Sequence, residues 1–357
     1  MAYVAARGGE EAIQQAEALY RRLLGPLDAG LVRRLEQALP YLLDRLMGEG
    51  SLYAPELAAL ALAQTGGDLY EAVLLLRAYR TTLPRLGYAE PLEPEALLTV
   101  RRISAAFKDI PGGQVLGPTL DYSHRLLHFE PQEAPPARTG AEAQASLHLP
   151  FVADWHRQNG LLAPRPPDPT PGPEIPDLTR EPLLFPAPRA QRLQALSRAD
   201  TGGVLALGYA NMRGYGAIHP TVNEVRLAYA EVRLRHPVTG AVFSAGRVRY
   251  SQAEVLTKFR PGPGGKPALE LGFAATLGWN EVKLIAAAML DAAMDQGEPH
   301  PAHTEEFVLS HTEPVEAGGF CIHYKLPHYV TFGSDLDALR KARARTTPVE
   351  TAPEEVE

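Results

Sequence analysis

Val225-Arg226-Leu227-Ala228-Tyr229 alternates apolar and polar positions, and Pro237-Val238-Thr239-Gly240 then turns the chain into the run from Ala241 to Tyr250. Alternation with a period of two, broken by a Pro/Gly turn, predicts a β-hairpin with one buried face. Val204-Leu205-Ala206-Leu207, a short apolar run just upstream, is expected as another strand. Downstream, Pro261-Gly262-Pro263-Gly264-Gly265 reads as a loop. Asn280 is then placed to cap a long helix reaching Met294, with Val282, Ile285, Met289 and Ala293 on one face. A short polar helix is expected from Ser334.

Upstream of the hairpin the period changes. Ala12, Ile13, Ala16, Leu19 and Leu23 recur at helical spacing, and a second such stretch runs from Leu31 to Met47, where Pro40 must divide it. Asp68-Leu69-Tyr70-Glu71 opens a helix with a capping-box pattern, carried on by Ala72, Leu75, Leu76 and Tyr79. Pro94 occupies the place of a first-turn proline, so a helix toward Lys108 is expected. Between Pro164 and Pro188 lie ten prolines, which exclude helix interiors and central strands and favour an extended path; a short amphipathic piece is expected around Pro150–Leu162. The chain is therefore expected to be α+β. Residues 1–130 form a helical domain, 131–190 a proline-rich connector that wraps a partner or joins domains, 191–345 a mixed α/β domain, and 346–357 an acidic disordered tail.

Composition bounds the function. The 357 residues are 45% hydrophobic and 22% charged, with mean hydropathy −0.16, as in a soluble globular protein. No apolar run approaches the ~18 residues of a membrane span and no signal-like leader opens the chain, so a cytoplasmic location is expected. Net charge is −7 and the pI near 5.9, which excludes general attraction to nucleic acid; a polyanion must meet a local basic pocket. Of 35 basic residues 29 are arginine, so the lysines stand out, notably Lys108, Lys283 and Lys325. A single cysteine, Cys321, rules out an internal disulfide and any cluster built from several thiolates of this chain.

Three segments carry chemistry. In the first, Tyr79-Arg80-Thr81-Thr82 and Arg101-Arg102-Ile103-Ser104 precede the run from Lys108 to Arg125, which holds three glycines, two prolines, Asp109, Gln114, Asp121 and His124. Its glycines let backbone approach a ligand, Lys108 and Arg125 can hold phosphates, and Asp109 or Asp121 can move a proton. An ordered loop of mutually paired charges has the same sequence, and the spacing is not that of a Walker P-loop. In the second, Arg213-Gly214-Tyr215-Gly216 is followed by Glu224; the tyrosine can stack on a base beside the arginine, and ordinary turn chemistry is the plainer alternative. In the third, Phe320-Cys321-Ile322-His323-Tyr324-Lys325-Leu326-Pro327-His328 reads as a strand ended by Pro327, with His323 and His328 brought together by the turn as two metal ligands or as two hydrogen-bonded surface residues.

Taken in order, Tyr3-Val4-Ala5-Ala6-Arg7-Gly8-Gly9-Glu10, Leu76 to Thr82, Lys108 to Gln114, Arg213 to Gly216, Glu305-Glu306-Phe307-Val308-Leu309 and Lys325-Leu326-Pro327-His328-Tyr329-Val330 resemble the I subunit (PhnI) family of the bacterial carbon-phosphorus lyase core complex, over nearly the whole chain. The resemblance implies a role in phosphonate catabolism: transfer of ribose 5-triphosphate from MgATP to an alkylphosphonate with release of adenine, and purine nucleosidase activity alone. It implies partners too, the G, H and J subunits in a core hetero-octamer with K and L besides. It also implies a Zn2+ or similar divalent ion at His323 and His328. Asp109, Asp121 and Glu224 are the candidates for catalysis, and Lys108, Gln114, His124, Arg125, Arg213, Tyr215 and Lys325 for substrate. The alternative is a scaffold whose two histidines complete the J subunit's active site. A stand-alone metallophosphoesterase is disfavoured because no histidine-aspartate metal signature is present.

Overall fold

In the computed structural model, residues 9–93, 96–130, 149–165, 176–215, 220–296, 300–326 and 333–346 are described. Their elements run α1 Gly9–Leu24, α2 Ala29–Ala38, α3 Pro40–Gly50, α4 Pro55–Gln64, α5 Leu69–Thr81, β1 Leu97–Ile103, α6 Val152–Gln158, α7 Arg189–Arg198 and α8 Thr201–Ala210, then β2 Thr221–Arg235, β3 Val242–Pro261, β4 Pro267–Leu277, α9 Glu281–Met294, α10 Glu305–His311, α11 Pro314–Tyr324 and α12 Gly333–Thr346. The protein is α+β. It sorts into two units, one spanning Leu27–Ala317 and the other formed by Met1–Pro26 with Gly318–Glu357.

Local signals set the helices of the larger unit. The Asp28 carboxylate accepts from Leu31 N–H (2.7 Å) to start α2, and Pro40 ends that helix by opening α3 at its first turn. Asp68 accepts from Tyr70 and Glu71 N–H (3.0 and 3.2 Å) to start α5. α2 to α5 close on Leu43, Leu46, Met47, Leu62 and Leu76, all buried.

The sheet is antiparallel, in the order β1-β2-β3-β4. β2 and β3 form the hairpin read from the sequence. Its turn is fixed by His236, whose Nδ1 accepts from Val238 and Thr239 N–H, and by Gly240 at φ +71°. Strand alternation sends Val225, Ala253, Val255 and Ala274 to one face, where α7 to α10 cover them, and Ala228, Ala230, Leu256 and Leu271 to the other, where α6 and the 104–115 loop lie. α9 is buried along nearly its whole length. It sits so close to β4 that a Cβ on Gly272 would run into the Ala288 carbonyl oxygen.

Three expected elements differ. The segment after Pro94 is the edge strand β1, not a helix, because Leu97 to Ile103 pair with Ala230 to Val225. Val204–Leu207 lies in helix α8, which the Asp200 carboxylate caps through Gly203 N–H (2.6 Å) and which turns Val204 and Gly208 inward one turn apart. Four apolar residues alone do not separate strand from buried helix. Residues 318–324 are helical rather than a strand, since Pro314 starts α11 and the Glu313 carboxylate accepts from Val315 and Glu316 N–H (2.7 and 2.9 Å). Of the proline-rich connector, residues 131–148 and 166–175 lie outside the described residues, as do residues 347–357.

Candidate functional site

The loop after β1 is pinned to the sheet at its neck. Arg102 and Val115 exchange two backbone hydrogen bonds (2.8 and 2.7 Å), and Arg102 Nη1 donates to the carbonyls of Pro111 and Gly113 (2.7 and 2.8 Å). Gln114 closes the neck: its carbonyl accepts from Ser104 N–H and its amide donates to the carbonyls of Phe107 and Lys108. Lys108 and Asp109 are exposed at the tip of this fold and make no ion pair among the described residues.

Beyond the neck the loop rounds the edge of the sheet. The buried Arg101 donates to Leu116 O (2.6 Å), to Asp121 and, through Nε, to Glu281 Oε1 at the start of α9 (2.6 Å). The Thr119 hydroxyl and the Arg101 guanidinium hold the Asp121 carboxyl below the usual carboxylate range, so it stays ionised. Arg125 reaches the other Asp121 oxygen (3.5 Å), and His124 is exposed beside it.

Glu281 also lines a cavity of about 400 Å³, with Tyr41 and Arg45 of α3, Thr201 at the start of α8, and Trp279 and Asn280 before α9. Arg45 pairs with Glu49 and Asp200 (2.9 and 3.2 Å), while Arg249 covers one face of Trp279 (5.0 Å). Beneath it Lys283 is buried, donates to Ser197 O (2.6 Å) and is pulled down to about 8 by desolvation. The arrangement offers an aromatic wall, two helix N-termini and the Glu281 carboxyl, which Arg101 Nε reaches.

Glu224 is placed differently. It has no exposed surface, lies on the α6 face of the sheet, and its oxygens are taken by Arg226 Nε (2.6 Å), Arg102 Nε (3.4 Å) and Val152 N–H (3.0 Å). Next to it Asn223 bridges His156 and Glu254 (both 2.8 Å), and burial with the Glu224 charge pushes Glu254 up to about 8. Arg213 is exposed on a π turn, Asn211–Tyr215, after α8; the side chain of Tyr215 lies outside the described residues. His323 and Lys325 are exposed at and just past the end of α11, and His328 lies outside the described residues.

The structure thus joins Asp121 and Arg125 to each other, and Glu224 to the loop neck through Arg102. Among the described residues no hydrogen bond or ion pair joins Arg213 to that loop. Arg101 belonged to the first chemistry-bearing segment but was given no role there, and Glu281, Arg45 and Trp279 escaped the sequence reading. Among the described residues no three His, Cys, Asp or Glu side chains converge as a complete metal site requires.

Curated relatives match end to end. A "Putative C-P lyase subunit protein HtxH" of Stutzerimonas stutzeri is 44% identical over 97% of both chains. Two proteins named "Alpha-D-ribose 1-methylphosphonate 5-triphosphate synthase subunit PhnI" are 42% identical in Rhizobium meliloti (strain 1021), covering 96% of this chain and 95% of the relative, and 43% in Escherichia coli (strain K12), covering 95% and 98%. The family model described as "Bacterial phosphonate metabolism protein (PhnI)" takes in residues 2–346, the sheet, its covering helices and the loop at Asp121 alike, and the chain belongs to that family.

Proposed function

We propose that this chain is the PhnI-type subunit of an alpha-D-ribose 1-methylphosphonate 5-triphosphate synthase. One observation carries the reading: two relatives of that name align with it over at least 95% of both partners. In the reaction the bond from adenine to ribose C1 breaks, its electrons leave with the base nitrogen, which gains a proton, and an oxygen of the alkylphosphonate closes on C1. The sugar passes through an oxocarbenium-like state, so the site needs a negative charge near the ring, a proton for the base and cations for phosphate. Asp121, held ionised, suits the first role. Asp109, exposed and unpaired among the described residues, suits the second. Lys108, Arg125 and Arg213 suit the phosphonate and phosphate oxygens, and the cavity walled by Trp279 and Tyr41 suits a purine. Glu224 and Gln114 set the loop in place.

MgATP is the proposed donor, and subunits of the G, H, J, K and L types are the proposed partners in the cytoplasm. No helix among the described residues is long and apolar enough to cross a membrane. His323 is exposed at a helix C-terminus, where the carbonyl dipole favours a cation, so with His328 it would hold a zinc or similar divalent ion. Bound there, the ion would supply charge for an anionic oxygen from substrate or partner.

A second reading, a scaffold for a partner's active site, is favoured by Leu126, Leu127 and Phe129, which are 71%, 83% and 92% exposed in one run. Free adenine separates the two. The purified chain, with and without the other subunits and an alkylphosphonate, is incubated with MgATP; adenine release is expected, and its absence in every combination would leave only the scaffold.

A further inference from the structure

A cleft of about 690 Å³ opens where α3 and α5 end, lined by Ser51, Thr81, Thr179 and the three arginines Arg80, Arg85 and Arg180, with no carboxylate lining it among the described residues. Arg85 is tied to Asp177 (2.8 Å) and to the Thr179 hydroxyl (2.9 Å) just behind the wall. Arg180 is exposed at the rim. Arg80 is the unusual one: its Nε and Nη1 are buried, and its side chain makes no hydrogen bond or ion pair among the described residues. Its neighbour Arg77, one turn earlier on α5, spends all three of its donor groups on Glu49 O, Glu313 and Arg198 O. A guanidinium taken from water without a partner is expensive, and a second cation beside it raises the expense.

Desolvation first, and then the charge of Arg77, pull Arg80 down against the opposing charge of Asp177. Chain length places this cleft apart from the cavity at Arg45. Arg45 lies at the middle of α3, about 9 Å along the helix from Ser51, which follows its last residue, and the two hollows share no lining residue among those described. Three arginines lining one cleft suit the non-bridging oxygens of linked phosphates, which planar guanidinium groups bind in pairs.

We infer that this arginine cleft is a separate binding site for a triphosphate group, from a nucleoside triphosphate or from a ribosyl 5-triphosphate. Binding is measured by calorimetry on the full chain with inorganic tripolyphosphate, ATP and orthophosphate at fixed salt. Arg80→Gln and the rim variant Arg180→Gln are compared with wild type and with Arg340→Gln, a control on α12. Tripolyphosphate is expected to bind well ahead of orthophosphate. Arg80→Gln should weaken it tenfold or more and Arg180→Gln several-fold, with Arg340→Gln unchanged and all unfolding transitions alike. ATP binding tighter than tripolyphosphate assigns the nucleotide; equal binding assigns the triphosphate alone. If Arg80→Gln does not fold, the rim variant decides. Unchanged affinity in the folded arginine variants overturns the site. Neither result depends on glycosyl transfer, so adenine release can fail while the site stands, or persist while it falls.

Discussion

Arg101 and Asp121, twenty residues apart, form an ion pair at the edge of the sheet, and the same guanidinium reaches Glu281, which lines the cavity. One buried cation thus ties the loop at Asp121 to the first turn of α9. Asp121→Asn keeps the shape and removes the charge. It is expected to lower adenine release by a factor of about 100 to 1,000 with little change in the KM for ATP, because a charge that stabilises the cationic sugar acts in the transition state. Steady-state kinetics of adenine release decide; a fall in kcat/KM carried by a raised KM with kcat unchanged would make Asp121 a binding group.

Gly117 sits at φ +61°, and a Cβ there would meet the Val100 carbonyl oxygen and the Arg101 backbone. Gly117→Ala therefore has to push the loop off β1. The expected loss is about 2–4 kcal/mol, from the left-handed backbone and the overpacking together. Urea unfolding measures it, and a loss under 1 kcal/mol would mean that the loop does not lie on β1.

Glu224→Ala strands Arg102 and Arg226, two guanidinium groups with no exposed surface, beside each other. Breaking a buried pair from one side costs about 3–5 kcal/mol. Glu224→Gln keeps the acceptor for Val152 N–H and is expected to lose less. If Glu224 only positions the loop, folded Glu224→Gln protein keeps its proton-dependent rate profile; a shifted pH profile with unchanged stability would return it to the chemistry.

The parts of the fold that were legible are those whose cause is local. Asp68, Pro40, Asn280 and the turn at His236–Gly240 each act within four residues, and each element begins or bends where the sequence says. β1 was not legible, because its proline prefix is helix-like and its pairing partner begins over a hundred residues later. The segment before Pro327 reads as a strand from its own residues, but Glu313 and Pro314 set a helix upstream of it. In the site, Asp121 and Arg125 were readable as a cluster of charges in a glycine loop. Glu281 was not, since only folding brings it 2.6 Å from Arg101 across 180 positions of sequence.

Glu254 supplies a test in pH. Burial, and then the charge of Glu224, raise its carboxyl to about 8 from an ordinary value of 4.5, so at neutral pH the folded protein holds a proton there that the unfolded chain has released. The unfolded state binds fewer protons between these values, so stability falls as pH rises: the contribution is intact below about 4.5 and is lost as pH passes 8. Glu254→Gln cannot ionise, and its amide oxygen can still accept from Asn223 Nδ2, as the carboxyl does at 2.8 Å. The variant is expected to match wild type within about 1 kcal/mol at acidic pH and to exceed it by about 2 kcal/mol or more at pH near 8.5, each unit of raised pKa being worth about 1.4 kcal/mol. Unfolding free energies of both proteins across that range, taken at one temperature and ionic strength, carry the comparison. A difference that stays flat with pH would mean that Glu254 is ionised in the fold, with Arg226 as its counter-charge.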